Sequence, residues 1–393
     1  MKTKFLKKIL LYFRDFFKKK EIKVKFDIPV PDDILEIKEL LKKRGYKLFL
    51  VGGAVRDVLL GKIPKDFDLA TDALPDVIQD ILSPFYKTLE TGKSFGVINV
   101  ITEFGEYEIA TFRKDIGVGR RPDAVEFTTI DQDVKRRDLT INALFYDIDS
   151  KEVIDLIGGI KDLKNGTIRT VGSAEERFGE DRLRIMRAIR FAGRFGSKLD
   201  PDIDAVLKVN RSLEGVSGER IRDEFLKGIA SAKSVKSFLE LLQKYKLFDW
   251  IFGTLLVKES GMQSLDLIEE RDSEVLLAYL LSDNSVNSLR KELNTLKYSA
   301  DEISRITFLV DFKNIKVENA FKFTKAQANS KLTNGQILKF SNWIKMDIKL
   351  VNAFLDFKTS VNVQELMNQG FFGKVLGAEI ERLETENFMK LIK

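Results

Sequence analysis

The sequence predicts an α+β protein: a mixed sheet flanked by helices in the N-terminal part, followed by a chain that is helical to its end. Three observations predict it. Short apolar runs rich in strand formers, with Leu48–Val51 the clearest, are punctuated by glycines in the N-terminal part of the chain. From Glu180 the apolar positions recur at helical spacing instead, and from Lys233 onward Phe238, Leu241, Leu242 and Leu247 keep that spacing. At 393 residues, 44% hydrophobic and 32% charged, the chain has the length and balance of a globular protein of several structural units.

Composition narrows the chemistry. There is no Cys and no His, which removes disulfides, thiolate nucleophiles, Cys- or His-ligated metals and histidine bases. Catalysis must run on carboxylates, Lys/Arg, hydroxyls and hard metal ions. The formal charge of +6 is unevenly spread, since residues 1–25 hold ten Lys/Arg against Asp15 and Glu21. The remainder is slightly acidic, so bulk charge gives no argument for nucleic-acid binding by the folded body.

In chain order, residues 1–26 form a basic amphipathic segment, with Phe5, Ile9, Phe13, Phe16 and Phe17 near one helical face. Its apolar run is too short and interrupted to span a membrane, and no small-residue cleavage site follows. It suits an extension or a packed helix as well as a contact with RNA backbone or a membrane surface. Pro29 and Pro31 mark a joint, and Asp32 and Asp33 are placed to cap a helix over 34–44. Leu48–Val51 then reads as a strand that Gly52-Gly53 turns into a helix from Ala54 to Leu60, closed by Gly61. A strand, glycine turn and helix N-terminus is a layout that meets phosphate with free N–H groups. Asp66-Phe67-Asp68 reads as the next strand, where alternation sends both carboxylates to one face and Phe67 into the core. Such a pair repels itself unless a cation sits between, which makes it a natural site for one or two Mg²⁺.

A helix over 77–82 and strands around 95–101 and 107–111 follow. Glu108 would supply a third carboxylate if its strand lies beside that of Asp66 and Asp68; an exposed strand glutamate is the plainer alternative. Lys114–Asp123 is a loop carrying glycines and arginines, and Arg137-Asp138 stands just before an apolar helix. An arginine there can fork onto triphosphate oxygens, and a carboxylate can accept from a ribose hydroxyl. Asp155–Gly159 and Asp162–Arg169 read as a strand, turn and strand forming a hinge.

The helix predicted over Glu180–Phe195 puts Asp181 and Arg184 at i and i+3, with Arg187 and Arg190 continuing the row. A salt-bridged surface would have the same spacing. The chemical reading is sharper. Cytosine and adenine each present an exocyclic amino donor beside a ring-nitrogen acceptor, and uracil and guanine present the reverse. A carboxylate acceptor next to a guanidinium donor complements the first two bases and rejects the others. Farther on, seven lysines and only Glu318 fall between Phe312 and Lys345, interleaved with Phe321, Phe323, Phe340 and Trp343. That window fits a core helix with a lysine face and an RNA-contact surface equally.

Four motifs, GGAVRD, DFDLAT, RRDLTINA and EDRLRIMRAIRF, together resemble the class II CCA-adding tRNA nucleotidyltransferases and bacterial poly(A) polymerases, of the DNA polymerase β-like nucleotidyltransferase superfamily. They cover roughly Leu48 to Phe195. The resemblance implies an N-terminal nucleotidyltransferase head (27–171), a helical neck with a base-selecting helix (172–250) and a helical body and tail (251–393) that grips tRNA. It implies two Mg²⁺ on Asp66 and Asp68 with Glu108 completing the catalytic set. A nucleotide site would comprise Gly53, Arg56, Arg137, Asp138, Asp181, Arg184, Arg187 and Arg190. The expected activity is template-independent addition of C and A from CTP and ATP to the tRNA 3′ end in the cytoplasm. The loop at 114–123 corresponds to one that aids addition of the terminal A, and Glu219–Glu224 resembles a motif supporting the base-selecting helix. A poly(A) polymerase or a CC-only or A-only enzyme would share every head motif. A non-catalytic RNA-binding protein on the same scaffold would be expected to lose a metal carboxylate, and a small-molecule nucleotidyltransferase has no use for the Asp181/Arg184 helix.

Overall fold

The computed structural model describes residues 23–117, 124–258 and 272–392, so most of the basic N-terminal segment and the 118–123 part of the glycine-arginine loop lie outside it. The chain divides into two compact units between Glu214 and Gly215. In the first run β1 (Lys23–Lys25), α1 (Asp32–Lys42), β2 (Leu48–Val51), α2 (Gly53–Leu59), β3 (Asp68–Thr71), α3 (Pro75–Leu82), β4 (Lys87–Gly92), β5 (Val97–Ile101) and β6 (Glu106–Thr111). Next come β7 (Arg113–Ile116), β8 (Ala124–Phe127), α4 (Ile130–Asp133), β9 (Phe145–Asp147), β10 (Glu152–Ile154) and α5 (Gly159–Asn165). The unit ends with β11 (Thr167–Ile168), α6 (Ala174–Glu180), α7 (Leu183–Phe195), β12 (Lys198–Leu199) and α8 (Pro201–Val209).

Eight strands form the main sheet in the order β1-β10-β9-β2-β3-β6-β5-β4. Only the β3–β6 pair is parallel, so the sheet is mixed as predicted. Strand β2 is central and apolar throughout because both of its faces are covered. Leu48 and Leu50 join the core beneath α1, α2 and α3, while Phe49 and Val51 join a smaller cluster with Ala70, Phe112, Val134, Ala143 and Phe145. That second face carries the site.

Several local expectations change. Pro31, not Asp33, is the N-cap of α1; Asp33 lies buried in the first turn and accepts from the Ile34 amide at 2.9 Å, the Thr102 hydroxyl at 2.6 Å and the Tyr107 hydroxyl at 3.1 Å. Strand β4, whose KTLETG residues are largely polar, pairs with β5 at the sheet edge, where no apolar alternation was needed. The 155–169 hinge contains helix α5: the Asp155 carboxylate accepts from the amides of Ile157, Gly158, Gly159 and Ile160, tightening a turn that starts a helix.

The second unit is helical among its described residues: α9 (Gly218–Ser231), α10 (Val235–Lys244), α11 (Phe248–Phe252), α12 (Ser273–Leu280), α13 (Val286–Thr295), α14 (Ala300–Phe312) and α15 (Ala320–Ser330), then α16 (Asn334–Trp343), α17 (Ile348–Asp356), α18 (Val363–Asn368) and α19 (Gly373–Ile392). The expected neck, 172–250, is thereby shared between the two units. In the lysine-rich window the phenylalanines turn inward, and Trp343 is half-buried against Tyr279. Phe312 packs on Phe323 at 5.5 Å and Phe354 at 4.9 Å between ring centroids, and Phe321 and Phe340 are buried. They are core, not stacking platforms. No described helix is long and apolar enough to cross a membrane.

Candidate active site

Asp68 opens β3, and the parallel register of β3 with β6 pairs Leu69 with Ile109, so Asp68 and Glu108 fall one step earlier, side by side. Leu69 and Ile109 enter the helix-covered core, which sends Asp68 and Glu108 to the other face. Asp66 lies just ahead of β3 rather than within it, so strand alternation does not aim its side chain; Phe67 still packs on the core as expected. Asp68 senses the charge of Asp66, and Glu108 senses that of Asp68. Desolvation pushes Asp68 above the usual carboxylate range, the charge of Asp66 adds to this, and Arg137 and Arg56 oppose it. Glu108 is pushed up by desolvation and by the charges of Asp68 and Glu106. Among the described residues no three such side chains stand close enough to enclose a metal ion as they are placed.

The turn after β2 faces these acids. Gly52 has φ +65° and ψ −116°, a conformation open only to glycine. A Cβ there would lie 3.5 Å from the Asn142 carbonyl oxygen, 3.8 Å from Arg137 and 4.0 Å from the Asp68 carboxylate. Gly52, Asp68 and Arg137 thus converge. Arg137 is half-buried over the Phe145 ring, 4.7 Å from its centroid, and donates to Asp133 through Nε at 3.2 Å and Nη2 at 3.0 Å. Asp138 accepts from the Leu139 amide at 2.7 Å, from Asn142 at 3.2 Å and from Arg187 Nε at 2.7 Å. Burial works against its charge, but Arg187 and these donors outweigh it and hold the carboxyl below its usual range.

Arg56, expected in the nucleotide site, points inward from the turn. It is 4% exposed and donates to Asp57 at 2.8 Å and to the Asn142 side chain. Its guanidinium sits 5.0 Å and 5.4 Å from the ring centroids of Phe191 and Phe195. Gly53 starts α2 beside it. Arg56 therefore ties α2 to α7, and Arg194 repeats the tie by donating to Asp57 at 2.9 Å. Arg190 is buried and stacks on Phe191, 4.2 Å from the ring centroid.

The helix expected over Glu180–Phe195 is two helices. α6 ends at Glu180, Asp181 is extended, and α7 begins at Leu183. Asp181 accepts from the Leu183 amide at 3.1 Å, as a short acidic side chain does at a helix start. The two residues stay adjacent because the Arg184 amide donates to the Asp181 carbonyl at 3.0 Å. The Arg184 guanidinium is held by Glu180 at 2.5 Å and by the carbonyls of Arg177 and Arg136, each at 3.2 Å. Arg177, Glu180, Arg184, Arg136 and Lys135 line a common pocket of about 210 Å³.

Three residues were not singled out from sequence: Asp133, Asn142 and Glu180. Asp133 had a readable signal, since D-x-x-R-R places it at i,i+3 and i,i+4 to two arginines. Glu180 stands at i,i+4 to Arg184, equally readable. Asn142 depends on the close approach of segments about ninety residues apart, which no local pattern contains.

A family profile described as "Poly A polymerase head domain" matches residues 48–169, and one described as "Probable RNA and SrmB- binding site of polymerase A" matches 198–256. The CCA-adding enzyme of Ligilactobacillus salivarius is 34% identical over 382 residues, covering 91% of this chain and 93% of its own. That of Latilactobacillus sakei is 32% identical over 375 residues, covering 90% and 92%. Among solved structures, the Bacillus stearothermophilus CCA-adding enzyme in complex with CTP superposes with a TM-score of 0.69 at 27% identity, covering 90% of this chain and 91% of that one. The Thermotoga maritima CCA-adding enzyme complexed with tRNA shares the fold, with a TM-score of 0.66 at 20% identity over 95% and 98% of the two chains. Similarity this high, sustained through head and helical units alike, decides the kinship: the chain belongs to the family of CCA-adding enzymes.

Proposed function

We propose that the protein adds C and A, taken from CTP and ATP, to the 3′ end of tRNA and releases pyrophosphate. The observation that carries this is the 34% identity to a CCA-adding enzyme along nine-tenths of both chains. Relatives solved with CTP, ATP and tRNA support the same substrates, and the reading assigns the enzyme to the cytoplasm, with its tRNA.

Asp66, Asp68 and Glu108 are the proposed acids of the site. Their donor chemistry fits a hard divalent cation: all oxygen, and mutually repelling in a way that a cation relieves. Asp66 and Asp68 would hold Mg²⁺, with Glu108 completing the set. Two such ions, when bound, supply acidity to the RNA 3′-hydroxyl and neutralise the triphosphate and departing pyrophosphate. The chain's own residues do the rest. Arg137, beside the Gly52 turn, binds the triphosphate, and Gly52 and Gly53 let it approach the backbone. Asp138, braced by Arg187, accepts from the ribose. Asp181 and Arg184 read the base edge. The fixing of Arg184 by Glu180 and two carbonyls supports that reading, because a side chain standing in for a template must not rotate. Arg56 supports the site from inside by keeping α7 against α2, and Arg190 is buried on Phe191 within α7.

The test offers the purified protein tRNAs ending before C, after C and after CC, with each nucleotide alone and all four together. Growth to CCA and no further is expected. Unlimited A addition would make it a poly(A) polymerase, and arrest after CC, or A addition only to a CC end, would make it a partial specialist.

A further inference from the structure

Asp133, the last residue of α4, is 1% exposed, and its carboxylate accepts from two cations and an amide. Its Oδ2 accepts from Arg137 Nε at 3.2 Å and Nη2 at 3.0 Å. Its Oδ1 accepts from Arg136 Nε at 2.8 Å and from the Arg113 amide, at the start of β7, at 3.2 Å. With the Phe145 ring under its face and Asp133 on its Nε/Nη2 edge, the Arg137 guanidinium cannot turn without breaking both contacts. What is left over is Nη1, the atom 3.8 Å from the point where a Gly52 Cβ would stand.

We propose that Asp133 is a positioning residue for nucleotide binding: it holds one edge of Arg137 so that the opposite edge faces the Gly52 turn. Asp133 touches neither reactant. It acts through Arg137, and the inference therefore rests on the reading of Arg137 as the triphosphate ligand. A lysine at 137 could not be aimed this way, since an ammonium has no second edge to be held. The same carboxylate fixes the first amide of β7, which takes in the start of the stretch expected as a loop, so strand and arginine share one anchor.

The experiment is a double-mutant cycle on single-nucleotide addition to tRNA, using wild type, Asp133→Asn, Arg137→Ala and the double variant, with thermal melting of each. Asp133→Asn is expected to raise KM for CTP and for ATP about tenfold, the loss of one charge-assisted contact. KM for tRNA should stay put and kcat should change little. In the Arg137→Ala background the further effect should vanish, because a residue acting only through Arg137 has nothing left to position. An unchanged nucleotide KM in Asp133→Asn, or effects that simply multiply in the double variant, would overturn the inference. If Arg137→Ala itself leaves nucleotide KM unchanged, the underlying reading of Arg137 fails instead. Should Asp133→Asn not melt cooperatively, Asp133→Glu replaces it in the cycle, keeping the charge but displacing the guanidinium, with the same outcomes deciding.

Discussion

At the scale of single residues, the acids of the site are poised against one another, and this makes them separable by experiment. Desolvation and the charge of Asp66 raise the Asp68 pKa. A carboxyl raised in the folded state contributes stability at pH below its unfolded value and loses it as pH rises through the folded value. At neutral pH, without a divalent cation, ionised Asp68 is therefore a burden on the fold. Asp68→Asn should abolish nucleotide addition and yet melt higher than wild type in EDTA at pH 7. That advantage should shrink to nothing as pH falls below about 4, the ordinary aspartate value. Adding Mg²⁺ should stabilise wild type and leave the variant unmoved; equal stabilisation of both would take the metal away from Asp68. Base choice divides in the same fashion. Asp181 both caps α7 and is proposed to accept from the base, so Asp181→Ala mixes two losses. Asp181→Asn keeps an oxygen for the Leu183 amide, so stability should hold while the preference for CTP and ATP over UTP and GTP narrows about five- to a hundredfold, the cost of a mispaired buried polar group. Single-nucleotide addition with all four triphosphates reads it, and undiminished selectivity would reduce Asp181 to a cap.

At the scale of elements, five described non-glycine residues adopt positive φ, and all five are lysines: 151, 246, 297, 331 and 345. Lys297 follows the end of α13 at φ +61°, where helices commonly stop on glycine. A left-handed L-residue costs about 1–2 kcal/mol, partly offset by the greater freedom glycine loses on folding. Lys297→Gly should therefore stabilise the second unit by roughly 0.5–1 kcal/mol, seen as a higher urea midpoint with unchanged slope; a fall in the midpoint would mean the lysine contributes more than its conformation costs. Such lysines also show what sequence reading can miss. The strand, turn and helix of 48–59 were legible because apolar runs and paired glycines have one local meaning. The break at Asp181 was not, since L-x-x-M-R-A-I-R-F continues a helical pattern backwards without interruption, and the extended residue is stabilised by the capping contact it makes. Arg56 shows the opposite limit. An arginine beside a phosphate-type turn suggests an anion, but its partners, Asn142, Phe191 and Phe195, come from distant segments that only the fold assembles. That Asp68 and Glu108 lie side by side follows from the parallel pairing of β3 with β6, a register no local pattern states.

At the scale of the whole molecule, the N-terminal segment predicted as one basic unit has two physical characters. Residues 1–22 hold eight Lys/Arg against Asp15 and Glu21. The next few residues belong to the sheet: β1 pairs with β10, the Ile28 amide donates to the Tyr146 hydroxyl at 3.3 Å, and Phe26 and Ile28 are 6% and 4% exposed. Deleting 1–22 and deleting 1–28 should thus do different things. The longer deletion uncovers the edge of β10 and removes two buried side chains worth about 1.5–3 kcal/mol each, so its melting temperature should fall. The shorter one removes none of the described core residues and should melt as wild type does. What it removes is charge, so affinity for RNA should drop and the slope of log affinity against log salt should become shallower. Turnover at saturating tRNA should be preserved, because none of the deleted residues belongs to the proposed site. Filter binding of tRNA across a salt series, beside melting curves for both truncations, distinguishes the two. If the 1–22 deletion destabilises the protein while its salt slope stays that of wild type, the segment is a packed part of the fold, and its lysines are a solvated face with no share in holding RNA.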